Sequence, residues 1–66
     1  MRMTTKQESY LLSLVNKVHG TSYRYLSQVN EDGIGRRAKK VRGIKKEEAS
    51  QLIDEYKERL EEMEDA

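Results

Sequence analysis

At 66 residues the chain has room for one small domain, near the lower limit at which a core folds without staples. The absence of cysteine excludes a disulfide framework and a thiolate metal site and makes a reducing cytoplasm the expected compartment, while a single histidine builds no imidazole site. The net charge of +1 conceals a division: residues 1–46 carry eleven Lys or Arg against three acids, and residues 47–66 carry two against nine, so the halves stand at +8 and −7. No apolar run approaches the roughly 18–20 residues of a membrane span, and the opening Met-Arg-Met-Thr-Thr lacks the apolar stretch of a signal peptide. The expectation is a soluble, cytoplasmic protein.

Thr5 followed by Glu8 has capping-box spacing and predicts a first helix over about 5–19. Leu11, Leu14, Val15 and Val18 form its apolar stripe, and Gly20 supplies the left-handed residue that ends it. Leu12 falls outside the stripe, as a flank residue or a contact for a partner. Thr21 or Ser22 caps a second, short helix over about 22–30, with Tyr25, Leu26 and Val29 on one face. Asp32-Gly33 is a turn signal that stops it. From Gly33 to Lys46 the chain reads as a basic loop anchored by Ile34 and Val41. The third helix, about 46–63, carries Ala49, Leu52, Ile53, Tyr56, Leu60 and Met63 within one arc, with Glu47 and Glu48 in its first turn. Ile44 staples against Ala49 if the cap lies near Lys45. At about 19 residues, roughly 28 Å, this helix outruns the core. Leu60 and Met63 then overhang, and such a stripe either frays or packs against a second chain, which makes a homodimer through helix 3 one outcome. The fold class expected is all-α, a three-helix domain with a basic loop between helices 2 and 3.

Function concentrates in that loop. Arg36, Arg37, Lys39, Lys40, Arg42, Lys45 and Lys46 fall in an acid-free window, and such density creates a local positive potential whatever the net charge. Phosphates of DNA or RNA are its natural target. The alternative is a solvated loop neutralised by the acidic third helix. Tyr25 and Tyr56 read as core, whereas Tyr10 and Tyr23 lie at edges where a ring can meet a base. His19 beside Gly20 reads as structural, interacting with the helix C-terminus. The serines have no base arrangement, and the carboxylates of helix 3 repeat as a solvated face. No catalytic residue, metal site or cofactor is expected.

Two stretches carry a resemblance: Thr5-Lys6-Gln7 leading into Leu11, and Ile44-Lys45-Lys46-Glu47-Glu48-Ala49-Ser50-Gln51-Leu52-Ile53 opening the last helix. Together they resemble a small helical module of phage and mobile-element proteins, with a Thr-x-x-Gln start and a Leu-Thr-x-x-Glu-Ala-Ser-x-x-Ile finish. Similar segments form tails of phage single-strand annealing recombination proteins. The resemblance implies phage DNA metabolism, and with the basic loop it gives the expectation of a non-enzymatic accessory protein that binds nucleic acid. The other expectation is a protein-interaction module using Leu12, Met63 and the charged faces to engage a recombination, replication or host-defence protein.

Overall fold

A computed structural model describes residues 2–65. Among them are three α-helices, α1 (Thr5–His19), α2 (Ile34–Ala38) and α3 (Lys46–Asp65), and two 3₁₀ turns, Leu26–Gln28 and Glu31–Gly33. The all-α class therefore holds, but the middle helix is not where periodicity placed it. No helix among these residues is long and apolar enough to cross a membrane.

The cap of α1 lies one residue before the expected Thr5–Glu8 pair. Thr4 Oγ1 accepts from the Gln7 N–H at 3.1 Å and Gln7 Oε1 accepts from the Thr4 N–H at 2.9 Å, so a neutral amide at the third helical position does what Glu8 was expected to do. Gln7 Nε2 also donates to Ser50 Oγ at 3.3 Å, joining the starts of α1 and α3. Farther along, His19 meets Tyr56, so the two helices cross while running in the same sense. Leu11, Leu14 and Val15 from α1 and Ala49, Leu52, Ile53 and Tyr56 from α3 fill the core between them. Gly20 closes α1 in the left-handed region at φ 66°.

The helix expected over about 22–30 is absent because side-chain amides take the backbone groups that a helix needs. Asn16 Oδ1 accepts from the Tyr23 N–H at 2.9 Å and its Nδ2 donates to the Tyr23 carbonyl at 3.0 Å, which holds that residue as a strand partner would. Gln28 Oε1 accepts from the N–H groups of Arg24 and Tyr25 at 2.9 and 3.3 Å. One 3₁₀ turn remains, and its three-residue repeat still sends Leu26 and Val29 into the core together. Tyr25, with extended φ and ψ of −135° and 145°, points outward and is 61% exposed, correcting its reading as core.

The segment read as a loop contains α2. Ile34 is its buried anchor as expected, but Val41 is 91% exposed, and the second anchor is Ile44. Ile44 and Ala49 are both buried, flanking the α3 cap at Lys45, whose carbonyl accepts from the Ala49 N–H at 2.9 Å. This is the expected hydrophobic staple.

One polar cluster fastens the parts together. The Tyr56 hydroxyl donates to Asp32 Oδ2 at 2.6 Å, and Arg59 Nη1 bonds the same oxygen at 2.8 Å. A phenol has one proton, already given to Asp32, so His19 Nε2–H is the donor in its 2.9 Å contact with the Tyr56 oxygen. The His19 ring stands edge-on to Tyr56 at 5.5 Å between centroids, and the Arg59 guanidinium carbon lies 4.8 Å from the Tyr56 ring centroid. Asp32 is the one described non-glycine residue with positive φ, at 55°, so this cluster holds a backbone conformation that the chain resists.

The hydrogen bonds from Tyr56 and Arg59 hold the Asp32 carboxyl below its ordinary 3.8. Burial and the adjacent Asp32 carboxylate push the Tyr56 phenol above its ordinary 10.0. A lowered carboxyl contributes stability that is present above about pH 4 and lost as pH falls through the folded value; a raised phenol contributes stability present below about pH 10 and lost above it. Asn tolerates positive φ, so Asp32→Asn removes the charge without straining the turn. The variant is expected to lose about 1 kcal/mol at neutral pH, a small value because the ion pair is solvent-screened. Urea melts from pH 7 to pH 2 check this: the gap between wild type and variant narrows below pH 4, and a constant gap would contradict the assignment.

Candidate nucleic-acid interface

All seven cations singled out from the sequence, Arg36, Arg37, Lys39, Lys40, Arg42, Lys45 and Lys46, are exposed. Among the described residues the one ion pair within 4.0 Å joins Arg59 to Asp32, and none of the seven takes part in it. They are not equivalent. Arg36 and Arg37 lie on α2, Lys39 caps it, and Lys40 to Gly43 form a turn closed by the Gly43 N–H on the Lys40 carbonyl at 2.9 Å. Lys45 and Lys46 sit at the start of α3, where the helix dipole is unfavourable to cations and a bound anion relieves the conflict.

Glycine explains why α2 sits where it does. A Cβ on Gly35 would stand 2.3 Å from the Val29 carbonyl oxygen and 2.9 Å from that of Ser27, because the Gly35 N–H donates to the Val29 carbonyl at 2.9 Å. The backbone of α2 is thus pressed directly onto the 3₁₀ turn at 26–28. That contact makes Arg36 and Lys39 line one cleft with Ser27 and Asn30.

Arg2 joins the cations without being visible as one of them in the sequence. It forms an isolated antiparallel bridge with Lys45, the Met3 N–H donates to the Ile44 carbonyl at 3.2 Å, and Arg2 Nη2 donates to the Val41 carbonyl at 2.8 Å. This places Arg2 in one cleft with Arg42 and Lys45 and in a second with Lys40. Arg37 goes elsewhere. It lines a cleft with Asp32, Glu48, Glu55 and Arg59, where acids outnumber cations. The clefts therefore group Arg2 with Lys40, Arg42 and Lys45, and Arg36 with Lys39; Arg37 is set apart among acids and Lys46 lines none of these clefts.

The edge tyrosines also change places. Tyr23 packs against the core and donates to Glu31 Oε1 at 3.0 Å, whereas Tyr10 and Tyr25 present their rings to solvent. Leu12 and Leu60 pack against the core, which leaves Met63, 50% exposed, as the large apolar side chain exposed on α3. Among the described residues no group of three His, Cys, Asp or Glu side chains is arranged to hold a metal ion. Comparison with protein-family models, with curated proteins and with solved structures found no match.

Because α2 is held by backbone contact, Gly35→Ala is expected to destabilise the protein by about 1–3 kcal/mol, the cost of forced overpacking, although alanine is the better helix former. Thermal unfolding followed by circular dichroism reads the loss. A variant as stable as wild type would mean that α2 does not dock on the 26–28 turn.

Proposed function

We propose that this chain is an accessory protein of the phage type that binds DNA or RNA through the face formed by residues 36–46 and Arg2, and that it does so without catalysis. The observation that carries the reading is the set of seven exposed cations in an eleven-residue stretch, none engaged in an ion pair among the described residues. A fold gains nothing from such crowding, since like charges at close range repel. An external polyanion turns that repulsion into binding energy by releasing its own counterions. The resemblance of the α3 start and the Thr-x-x-Gln cap to the phage module supports the same direction.

The binding mechanism is electrostatic docking. Arg42 and Lys45, with Arg2 lining the same cleft, supply donors to phosphate oxygens, and the guanidinium groups add bidentate geometry. Arg36 and Lys39 extend the positive strip along α2.

The reading requires affinity that falls steeply with salt, measured by fluorescence anisotropy on a labelled oligonucleotide. Each phosphate contact removed should lower the slope of log K against log salt by about 0.7 on a single strand or 0.9 on a duplex. Lys40→Ala, Arg42→Ala and Arg36→Ala are expected to show that change, and Arg37→Ala the smallest change because acids surround it. Absence of binding to either form at low ionic strength would sink the proposal.

A further inference from the structure

Between the start of the chain, the 3₁₀ turn at 26–28 and the turn after α2 lies a cleft of about 280 Å³. Leu26, Ala38 and Ile44 give it apolar walls, and Tyr25, Arg2 and Lys40 stand around it. Its volume falls just below the range for small-molecule sites, about 300–1,000 Å³, and suits one flat group better than a large ligand.

Tyr25 is the unexplained feature of this cleft. Tyr56 organises the core and the Tyr23 hydroxyl is committed to Glu31, but Tyr25 is 61% exposed and takes no part in either network. Its backbone, in contrast, is pinned on both sides. The Tyr25 N–H donates to Gln28 Oε1 at 3.3 Å, its carbonyl accepts from the Gln28 N–H at 3.0 Å, and the next residue, Leu26, is buried. With the backbone fixed, only the two χ rotations of the Tyr25 side chain remain to be ordered when a second flat group stacks on it.

Resting on the nucleic-acid reading above, the geometry points to this cleft as the seat of one unpaired base of a single strand, stacked on the Tyr25 ring, with flanking phosphates against Arg2 and Lys40. Paired bases in a duplex have both faces covered by their neighbours and offer only their edges, so a stacking platform selects unpaired strands. The two cations supply charge complementarity for the backbone on either side of the base. Glu8 also lines the cleft, and its carboxylate repels phosphate while accepting hydrogen bonds from an exocyclic amino group. The occupant is thereby oriented, base inward and phosphates toward Arg2 and Lys40.

The test compares wild type, Tyr25→Ala and Tyr25→Phe for binding to a mixed-sequence single strand of about a dozen nucleotides, within the usual site sizes, and to its duplex. Circular dichroism first checks that the variants remain folded, as expected for an exposed side chain. Tyr25→Ala should weaken single-strand binding about tenfold or more, the loss of one stacked base, while Tyr25→Phe stays near wild type and duplex affinity is unchanged in all three. The Tyr25 ring protons should move upfield on addition of the single strand. If Tyr25→Ala binds the single strand as tightly as wild type while Lys40→Ala is weakened, the base seat is wrong and the basic face stands. An equal loss on single strand and duplex also overturns the seat, and no binding by wild type at low salt overturns both readings.

Discussion

The hydrogen bond from the Tyr56 hydroxyl to Asp32 fixes where the Glu31–Gly33 turn, and with it the entry to α2, sits against α3. Eleven residues, 33–43, lie between Asp32 and the buried Ile44 that precedes α3, and most of them are exposed. Such a stretch buries too little to fix itself. The Asp32 carboxylate, held by Tyr56 and Arg59, pins its first residues to the middle of α3, and His19 ties the Tyr56 hydroxyl oxygen to the end of α1. The far end is fixed by Ile44, buried at the start of α3 and bonded through its carbonyl to Met3. Between those two points the chain has one short helix and one turn, and the basic side chains project from both.

The apolar periodicities of α1 and α3 were legible because long amphipathic helices advertise their buried faces, and the staple of Ile44 on Ala49 was legible for the same local reason. The middle of the chain was not. Tyr25, Leu26 and Val29 have helical spacing, but a single 3₁₀ turn also brings Leu26 and Val29 to one side, and pattern alone does not separate the two. What decides between them is Asn16 and Gln28 bonding the backbone of Tyr23, Arg24 and Tyr25, and Asn16 acts from another element. The three glycines of the basic stretch suggested a loop. Gly33 and Gly43 do have positive φ, but Gly35 is there for close approach inside a helix, a use of glycine that becomes visible only when the opposing carbonyls of Ser27 and Val29 are known.

The candidate face shows the same division between local and long-range information. Seven cations within eleven residues are obvious in the sequence, but their grouping is not. Arg37 is separated from its neighbours by the helical turn that sends it toward Glu48 and Glu55, while Arg2, more than thirty residues distant from all of them, is brought in by backbone pairing with Lys45. A linear count therefore overstates Arg37 and omits Arg2.

Separation of charge along α3 then decides whether the basic face retains its potential. From Lys46 to Glu61 the helix rises about 22 Å at 1.5 Å per residue, more than two Debye lengths of about 8 Å at physiological salt. The acids at 61, 62, 64 and 65, all exposed, are thus screened from Lys45 and Lys46 at the other end of α3, and the net charge of +1 describes neither end. Nearer acids offset the cations locally: Glu47 and Glu48 in the first turn of α3, where the helix dipole favours them, Asp32 and Glu55 beside Arg37, and Glu8 in the cleft with Lys40. An approaching polyanion therefore meets attraction at one end of the molecule and repulsion at the other. Under the nucleic-acid reading proposed above, that division would orient the encounter so that the end carrying Arg2, Lys40 and the Tyr25 cleft arrives first, and more strongly as salt is lowered and the two poles act over longer range.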